Sequence, residues 1–289
     1  MNVKQTHIWK TAKRLYRKYF TTVPGKWTPE KRIKKIMELY VEKMGYRFEF
    51  YHPILFTEKI QWYKEFYSPA GLINIVDKYL FKAYIESKLG SGYTVKLYGV
   101  YENINQLEAA WNDLPEVFVL KQTLQSDGKC IKVIRNKAKI KLEELKKEIR
   151  DWFDPKNSLV NSYCAAYREG IPRIIAEEFI DQMDDLYDYK FFCFDGVPKL
   201  IYAYANKLKT SDSAKPHEAL TFYDMNWEKI DATSDGKPNS DIPKPKLFSE
   251  MIEIAAELSR GFPFLRVDFY EVNNKIYLEY IRERNYYYY

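Results

Sequence analysis

The sequence predicts an α+β protein, in which a helical N-terminal region precedes two lobes that combine helices with antiparallel strands. In the first ninety residues, apolar side chains recur at helical spacing between capping residues. From residue 91 onward, short runs of β-branched and aromatic residues end in turn signals and alternate with helical patterns. No internal repeat is visible. The predicted divisions are residues 1–90, 91–170 and 171–289.

The composition indicates a globular protein of the reducing cytoplasm. Of the 289 residues, 46% are hydrophobic and 30% are charged, which allows an ordinary core and excludes wholesale disorder. Three cysteines without a CxxC motif argue against a disulfide scaffold and against a cysteine-based zinc site. The start MNVKQTHIWK lacks the apolar centre of a signal peptide, and no apolar run reaches the ~20 residues of a spanning helix.

Positive charge is concentrated at the N-terminus. Residues 1–50 contain 13 Lys/Arg and 4 Asp/Glu, whereas the net charge of the whole chain is only +6. The cations between Lys10 and Lys18 lie among apolar residues such as Trp9 and Phe20, which predicts an amphipathic helix. A solvated helix face is expected, and the alternative is contact with an anionic polymer or with an anionic membrane at its inner face. No nucleic-acid module is recognisable, so no nucleic acid is expected as a partner.

Capping residues and turn signals locate the elements along the chain. Helices are expected to begin at Thr28-Pro29, at Thr57-Glu58 and at Asp77-Lys78, the last of them ending near Gly90. In the first lobe we expect strands at 93–101, 116–121 and 130–135, and helices at 104–111 and 140–153. In the second lobe we expect strands at 173–180 and 220–224, hairpins at 188–205 and 264–281, and a helix at 249–260.

A lysine at the end of an apolar strand is the first candidate for a binding residue. Lys121 ends the run EVFVLK and precedes a polar turn, QSDGK, at residues 125–129. An ammonium group beside a loop that offers backbone N–H donors, here from Ser126 to Gly128, is suited to polyphosphate. The alternative is a lysine whose stem packs at the strand end while its ammonium group reaches water.

Charged residues in the strands of the second lobe are the next candidates. Glu177 and Glu178 follow an apolar run, and one of the two side chains is expected to face solvent. The alternative is that this segment forms a hinge between the lobes whose backbone groups pair with adenine. Asp188 and Lys190 alternate with aromatic residues, so both side chains share one face of their strand. They either form an ion pair or reach a ribose hydroxyl and a phosphate.

Asp268 and Glu279 form the clearest candidate metal site. Each lies in a strand otherwise built for burial, FLRVDFY and IYLEY, and a short turn brings the two strands together. A buried carboxylate needs a cation or a basic partner, and hard oxygen ligands suit Mg²⁺. The alternative partner is Arg266, two residues from Asp268 and on the same face. The three histidines are far apart and flanked by polar residues, so surface positions are expected for them.

Seven short sequence motifs occur in a distinctive order along roughly residues 50–280. They are FTEKIQWYK (56–64), DKYLFKAYI (77–85), VFVLK (117–121), RIIAEEFI (173–180), DYKFFCFDGVPKLI (188–201), FYDMNW (222–227) and FPFLRVDFY (262–270). Together they resemble the TupA-like (teichuronopeptide biosynthesis) ATP-grasp family of bacterial surface-polysaccharide clusters. The resemblance implies an ATP-grasp fold that holds ATP and Mg²⁺ between two lobes. It also implies a ligase that phosphorylates a carboxylate and passes the acyl group to an amine, with a small-molecule or glycan acceptor.

The resemblance further implies roles for individual residues. The implied nucleotide contacts are Lys78, Lys121, Ser126, Gly128, Glu177, Glu178, Phe179, Ile180 and Asp188. The implied catalytic residues are Lys190, which would approach phosphate, and Arg266, which would face the transferring phosphoryl group. The implied Mg²⁺ ligands are Asp268 and Glu279.

Two stretches depart from the pattern of the family. After the strand lysine the family normally has a loop with a histidine and three glycines, whereas residues 123–128 read TLQSDG. The last strand lacks the usual glycine-glutamate-leucine-threonine ending and reads LEYIRERN at 278–285. Both changes lie at the phosphate end of the implied site, so a non-catalytic ATP-grasp scaffold is one alternative. A kinase of a glycan hydroxyl is another, and a glycosyltransferase is a distant one.

Overall fold

A computed structural model describes residues 27–125, 130–154, 165–168, 170–180, 186–206, 218–232 and 241–278. The α-helices in these ranges are α1 (Pro29–Met44), α2 (Phe56–Phe66), α3 (Ile73–Val76), α4 (Lys78–Leu89), α5 (Ile104–Ala110), α6 (Leu142–Ile149) and α7 (Phe248–Ser259). The strands are β1 (Leu97–Tyr101), β2 (Phe118–Gln122), β3 (Ile131–Ile134), β4 (Ile174–Glu177), β5 (Leu186–Phe194), β6 (Val197–Asn206), β7 (Glu218–Tyr223), β8 (Lys229–Ile230), β9 (Phe264–Val272) and β10 (Lys275–Leu278).

Two antiparallel sheets organise the chain. The small sheet has the strand order β1-β4-β2-β3, and the large sheet has the order β10-β9-β5-β6-β7-β8. Strand β4 pairs with β1 and β2, so it belongs to the small sheet. The sequence analysis started the second lobe at residue 171, before this strand. The observed change of sheet comes after Glu177, because hydrogen bonds to distant strands, rather than the local pattern, decide where β4 belongs.

Each sheet has its own hydrophobic core. In the large sheet, alternate residues of β5 and β9, such as Phe191 and Val267, point toward α7 and are fully buried. Helices α5 and α6 cover the small sheet and bury Leu107 and Ile149 there. Alternation therefore turns the other residues of β5 and β9 toward the opposite face of the large sheet, where the charged candidates lie.

The helical region is attached to the large sheet through α2. Ile60 packs among Phe192 and Phe264 of the sheet, and the Tyr63 hydroxyl donates to the Phe264 carbonyl at 3.0 Å. Glu65 of the same helix is buried and accepts from Arg32 of α1 at 2.7 Å and from Arg168 at 2.5 Å. This ion cluster ties α1 and α2 to the segment that leads into β4.

Many predicted element boundaries are confirmed within a few residues. Thr28 caps α1, and Asn273 and Asn274 form the turn between β9 and β10 with φ of 53° and 56°. The predicted helix at 140–153 is shorter, since α6 ends at Ile149 and a 3₁₀ turn follows. The predicted strand at 93–101 begins only at Leu97, because the preceding residues bridge the two sheets. The Tyr93 carbonyl there accepts from the Leu278 amide at 2.7 Å.

Several predictions fall outside the described ranges. They concern the amphipathic N-terminal helix, Ser126, Gly128, Glu279, His7 and His217. His52 is described and lies at the surface, as predicted. Within the described part of the chain, no helix has both the length and the apolar character that crossing a membrane requires.

Candidate functional site

A cleft of about 220 Å³ lies between the two sheets. The small sheet contributes Val119, Lys121, Ile131, Val133 and Glu177, and the segment after β4 contributes Glu178, Phe179 and Ile180. The other walls are Lys78, Phe81 and Lys82 from α4, Thr94 and Val95 before β1, and Tyr270, Tyr277 and Leu278 from the large sheet. The structure thus brings together Lys78, Lys121 and residues 177–180, which the sequence analysis selected from three separate segments.

A buried carboxylate with two lysines lies in the wall of this cleft. Glu177 is 4% exposed; its Oε2 lies 3.0 Å from the Lys82 ammonium, and its Oε1 contacts the Lys121 ammonium. Burial alone would raise the pKa of the Glu177 carboxyl. The charges and hydrogen bonds of Lys121 and Lys82 outweigh burial and lower that pKa to about 2. The group therefore carries a net positive charge at neutral pH, which suits an anionic ligand.

Lys82 is a residue that the sequence analysis missed. Burial lowers the pKa of its ammonium group, and the charge of Glu177 partly offsets this effect. The ammonium group also donates to the Val95 carbonyl at 2.8 Å. A signal was present, because Lys82 follows Lys78 by four residues in α4 and therefore lies on the same helix face.

The depressed pKa of Glu177 predicts a specific loss of stability in acid. A carboxylate that ionises at about 2 in the folded state, against 4.5 ordinarily, stabilises the fold above pH 4.5 and loses this contribution as pH falls toward 2. We expect the Glu177 contribution to the unfolding free energy to fall by about 2 kcal/mol between pH 5 and pH 3. Urea unfolding at both pH values should show a shallower pH dependence for Glu177→Gln than for the wild type. The matched control is Glu178→Gln, which should keep the wild-type slope; an unchanged slope in Glu177→Gln would contradict the prediction.

Lys78 is bound to backbone carbonyls rather than pointing openly into the cleft. Its ammonium group donates to the Gln122 carbonyl at 3.0 Å and to the Gln125 carbonyl, and its side chain is buried. These carbonyls lie immediately before residues 126–129. Lys78 therefore connects α4 to the start of the loop that the resemblance assigns to phosphate, and direct phosphate binding by Lys78 stays a prediction.

Asp77 holds the N-terminus of α4, the helix that carries Lys78 and Lys82. Its Oδ1 accepts from the backbone amides of Tyr79 and Leu80 at 2.8 and 3.1 Å. We expect Asp77→Ala to lower the unfolding free energy by about 1–2 kcal/mol, as for the loss of other N-caps, and to weaken ATP binding. Urea unfolding and an ATP titration would measure the two effects.

A matched control for this prediction is Asn103→Ala. Asn103 caps α5 in the same way, with both amide bonds at 3.1 Å, but lies outside the cleft lining. It should lose comparable stability and keep ATP affinity. Equal losses of ATP affinity in the two variants would contradict a specific role for the cap of α4.

The segment after β4 passes from one sheet to the other along the cleft. Glu178 is exposed whereas Glu177 is buried, which agrees with the expectation that one of the two faces solvent. The Glu178 amide already donates to the Lys96 carbonyl at 2.9 Å. Arg135 lies over the Phe179 ring at 4.6 Å, and this contact holds the segment against the end of β3. The apolar side chains around the segment form a slot that suits a flat heteroaromatic ring.

A second cluster of four charged residues lies on the face of the large sheet opposite α7. Lys190 of β5 stands directly across from Asp268 of β9, and it forms an ion pair with Asp188. The Arg266 guanidinium binds both oxygens of Asp268, at 2.7 and 2.5 Å, and both side chains are almost completely buried. Both ion-pair alternatives of the sequence analysis are thus observed. The cluster adjoins the cleft, because Asp188 stands across from the cleft residue Tyr270.

The second cluster contains carboxylate oxygens of the kind that coordinate divalent ions, but its described residues do not form a complete metal site. Asp188 Oδ1 is buried and has no hydrogen-bond partner among the described residues. Within the described ranges, no group of three or more His, Cys, Asp or Glu residues is placed to hold a metal ion. The donor chemistry fits Mg²⁺, and a further ligand such as Glu279 falls outside those ranges.

The two antiparallel sheets with a cleft between them agree with the two-lobed architecture that an ATP-grasp fold implies. The model of the TupA-like ATP-grasp family matches residues 58–285, and the chain belongs to that family. A search of curated proteins found no match.

Solved structures similar to this chain include three bacterial enzymes. D-alanine–D-alanine ligase from Helicobacter pylori is 16% identical, with 72% of this chain and 54% of that chain covered and a TM-score of 0.38. Phosphoribosylamine–glycine ligase from Thermotoga maritima is 12% identical, with coverages of 73% and 48% and a TM-score of 0.44. N5-carboxyaminoimidazole synthetase from Staphylococcus aureus is 15% identical, with coverages of 73% and 45% and a TM-score of 0.41. The chain spans about half the length of each of these proteins.

Proposed function

We propose that this protein binds ATP and Mg²⁺ in the cleft and uses them as a carboxylate–amine ligase. The observation that carries the proposal is the buried Glu177 between Lys82 and Lys121, at the place where the two sheets meet. The two ammonium groups and the one carboxylate give this cluster a net positive charge, which favours the binding of a polyphosphate. Membership of the TupA-like ATP-grasp family supports ATP as the ligand.

The nucleotide is proposed to lie with its base in the apolar part of the cleft. Val119 and Val133 of the small sheet face Leu278 of the large sheet across this space. Residues 177–180 frame the adenine, Asp188 binds the ribose, and Lys121 binds phosphate. Lys78 positions the loop at 126–129, in which Ser126 and Gly128 are proposed to cover the phosphates.

The reaction is proposed to proceed through an acyl phosphate. A carboxylate oxygen of the substrate attacks the γ-phosphorus, the bond from that phosphorus to the bridging oxygen breaks, and ADP leaves. An amine then attacks the acyl carbon; the C–N bond forms, and inorganic phosphate departs. Lys190 and Arg266 are proposed to stabilise the transferring phosphoryl group through their positive charge. Mg²⁺, held by Asp268 and Glu279, would supply further positive charge when bound.

The acceptor is proposed to be a small molecule or glycan of a capsule or cell-wall polymer. This assignment follows what the sequence resemblance implies, and the basic N-terminal segment supports work beside an anionic membrane or polymer. Such a protein would act in the cytoplasm at the inner face of the membrane.

A thermal-shift titration followed by product analysis tests the proposed function. Ligand at ~100 times its dissociation constant should add about 2.7 kcal/mol to the unfolding free energy, so ATP with Mg²⁺ should raise the melting temperature clearly. With acceptor present, a ligase yields ADP, free phosphate and an amide. A phosphorylated product without free phosphate would indicate a kinase instead. No shift with ATP and Mg²⁺ would overturn the proposal in favour of a scaffold.

A further inference from the structure

A continuous set of exposed apolar side chains lies on the helical region. We call it the apolar face; it consists of Tyr51, Ile54, Leu55, Phe56, Trp62 and Phe66. Ile54 is 77% exposed and Leu55 53%, and the four aromatic residues are exposed by 38–63%. None of the six lines the cleft between the sheets. Such a concentration of large apolar side chains at a surface marks a site of interaction.

The charged side chains within residues 50–66 are arranged in the reverse of an ordinary surface helix, and the exposed carboxylate next to this stretch is that of Glu49. Between residues 50 and 66, every exposed residue outside the apolar face is basic or histidine, namely Lys59 and His52. The two acidic residues of this stretch point inward. Glu58 accepts from the Ile54 and Leu55 amides at 2.8 and 3.0 Å, and Glu65 is bound by arginines as described above. A surface helix normally turns its charged residues outward, whereas α2 buries both carboxylates and exposes Trp62 and Phe66.

We propose that the apolar face docks on the surface of an anionic lipid bilayer. Tryptophan, tyrosine and phenylalanine are the side chains that favour the bilayer interface, and no exposed carboxylate of residues 50–66 would repel its negative charge. The sequence before the described structure adds cations, because residues 1–26 contain seven Lys/Arg and no Asp/Glu. That segment joins the described structure at Trp27, beside α1, which packs on α2. Apolar insertion and electrostatic attraction together give the two signals that stable peripheral binding needs.

A protein partner fits the same observations less well. Protein interfaces surround their aromatic and apolar residues with a polar rim, whereas residues 50–66 expose only Lys59 and His52 outside the apolar face. The proposal is independent of the ATP-binding cleft, because none of its residues lies there. The two proposals can therefore fail separately.

Co-sedimentation of the full chain with lipid vesicles tests this proposal. The probes are vesicles of phosphatidylcholine with phosphatidylglycerol and vesicles of phosphatidylcholine alone. We expect binding to the anionic vesicles, reduced about tenfold or more in Ile54→Ser/Leu55→Ser, because two largely exposed aliphatic side chains no longer enter the bilayer. The matched control is Ile171→Ser/Val197→Ser, which removes side chains of similar exposure elsewhere, 55% and 47%, and should bind like the wild type.

Three outcomes would overturn the proposal. They are no binding of the wild type to anionic vesicles, equal binding of the Ile54→Ser/Leu55→Ser variant, and an equal loss in the control variant. Sedimentation velocity supplies a further test, since self-association of the wild type that is lost in the variant, without vesicle binding, would assign the apolar face to a second copy of the chain. An unchanged urea-unfolding midpoint would show that the variant is folded.

Discussion

Lys121→Ala is expected to lower ATP turnover by at least about a hundredfold, the usual loss when one group that stabilises a transition-state charge is removed. Its ammonium group lies in the cleft against Glu177, at the end of β2 and just before the loop at 126–129. Lys82 remains beside Glu177 in this variant, so the carboxylate keeps a cationic partner and the fold should survive. Phosphate release with excess ATP and Mg²⁺ measures the effect, and urea unfolding verifies the fold.

The matched control for this variant is Lys132→Ala. Lys132 lies on the neighbouring strand β3 but points to the other side of the small sheet, where it pairs with Glu148 at 2.8 Å. It is expected to keep wild-type turnover. Full turnover in Lys121→Ala, or an equal loss in both variants, would show that the lysine is not part of the site.

Asp268→Asn is expected to abolish ATP turnover and also to destabilise the protein. The carboxylate is fully buried in a bidentate pair with Arg266, so its neutralisation leaves a buried guanidinium group with weakened compensation. Breaking a buried ion pair typically costs about 3–5 kcal/mol. Urea unfolding and phosphate release, measured on the same preparation, give the two losses.

A double variant separates the chemical role of Asp268 from its structural role. Replacing both partners by apolar residues, Arg266→Met/Asp268→Leu, removes the charges together and should recover much of the lost stability. The double variant is still expected to be inactive, because the carboxylate and the guanidinium group are both missing. An active double variant would refute the assignment of these residues to the site and leave them as a structural pair.

Local signals in the sequence were sufficient to predict the positions of most helices and strands. Thr28 and Asp77 cap helices as predicted, and the pair Asn273-Asn274 makes the predicted hairpin turn. These features are predictable because the interactions that form them involve only residues a few positions apart in the sequence. The seven sequence motifs then indicated the family, and the family-model match over residues 58–285 confirms this assignment.

Contacts between segments that are distant in the sequence could not be predicted from these local signals. The assignment of β4 to the small sheet depends on hydrogen bonds to β1 and β2, which lie more than 50 residues earlier in the chain. Lys82 was missed because its role follows from the approach of Glu177, a residue of another strand. The bonds from the Lys78 ammonium group to the Gln122 and Gln125 carbonyls, more than 40 residues later in the chain, could not be predicted either, and phosphate binding by Lys78 stays a prediction.

By itself, the sequence determined the secondary structure, the family and which charged residues share a strand face, because helical and strand periodicities follow from local backbone geometry. Only the tertiary structure decided which charges neutralise one another. Lys121 pairs with Glu177 because packing brings β2 and β4 together. In this pair and in the same-strand pair of Arg266 and Asp268, burial removes the water that would otherwise solvate each charge.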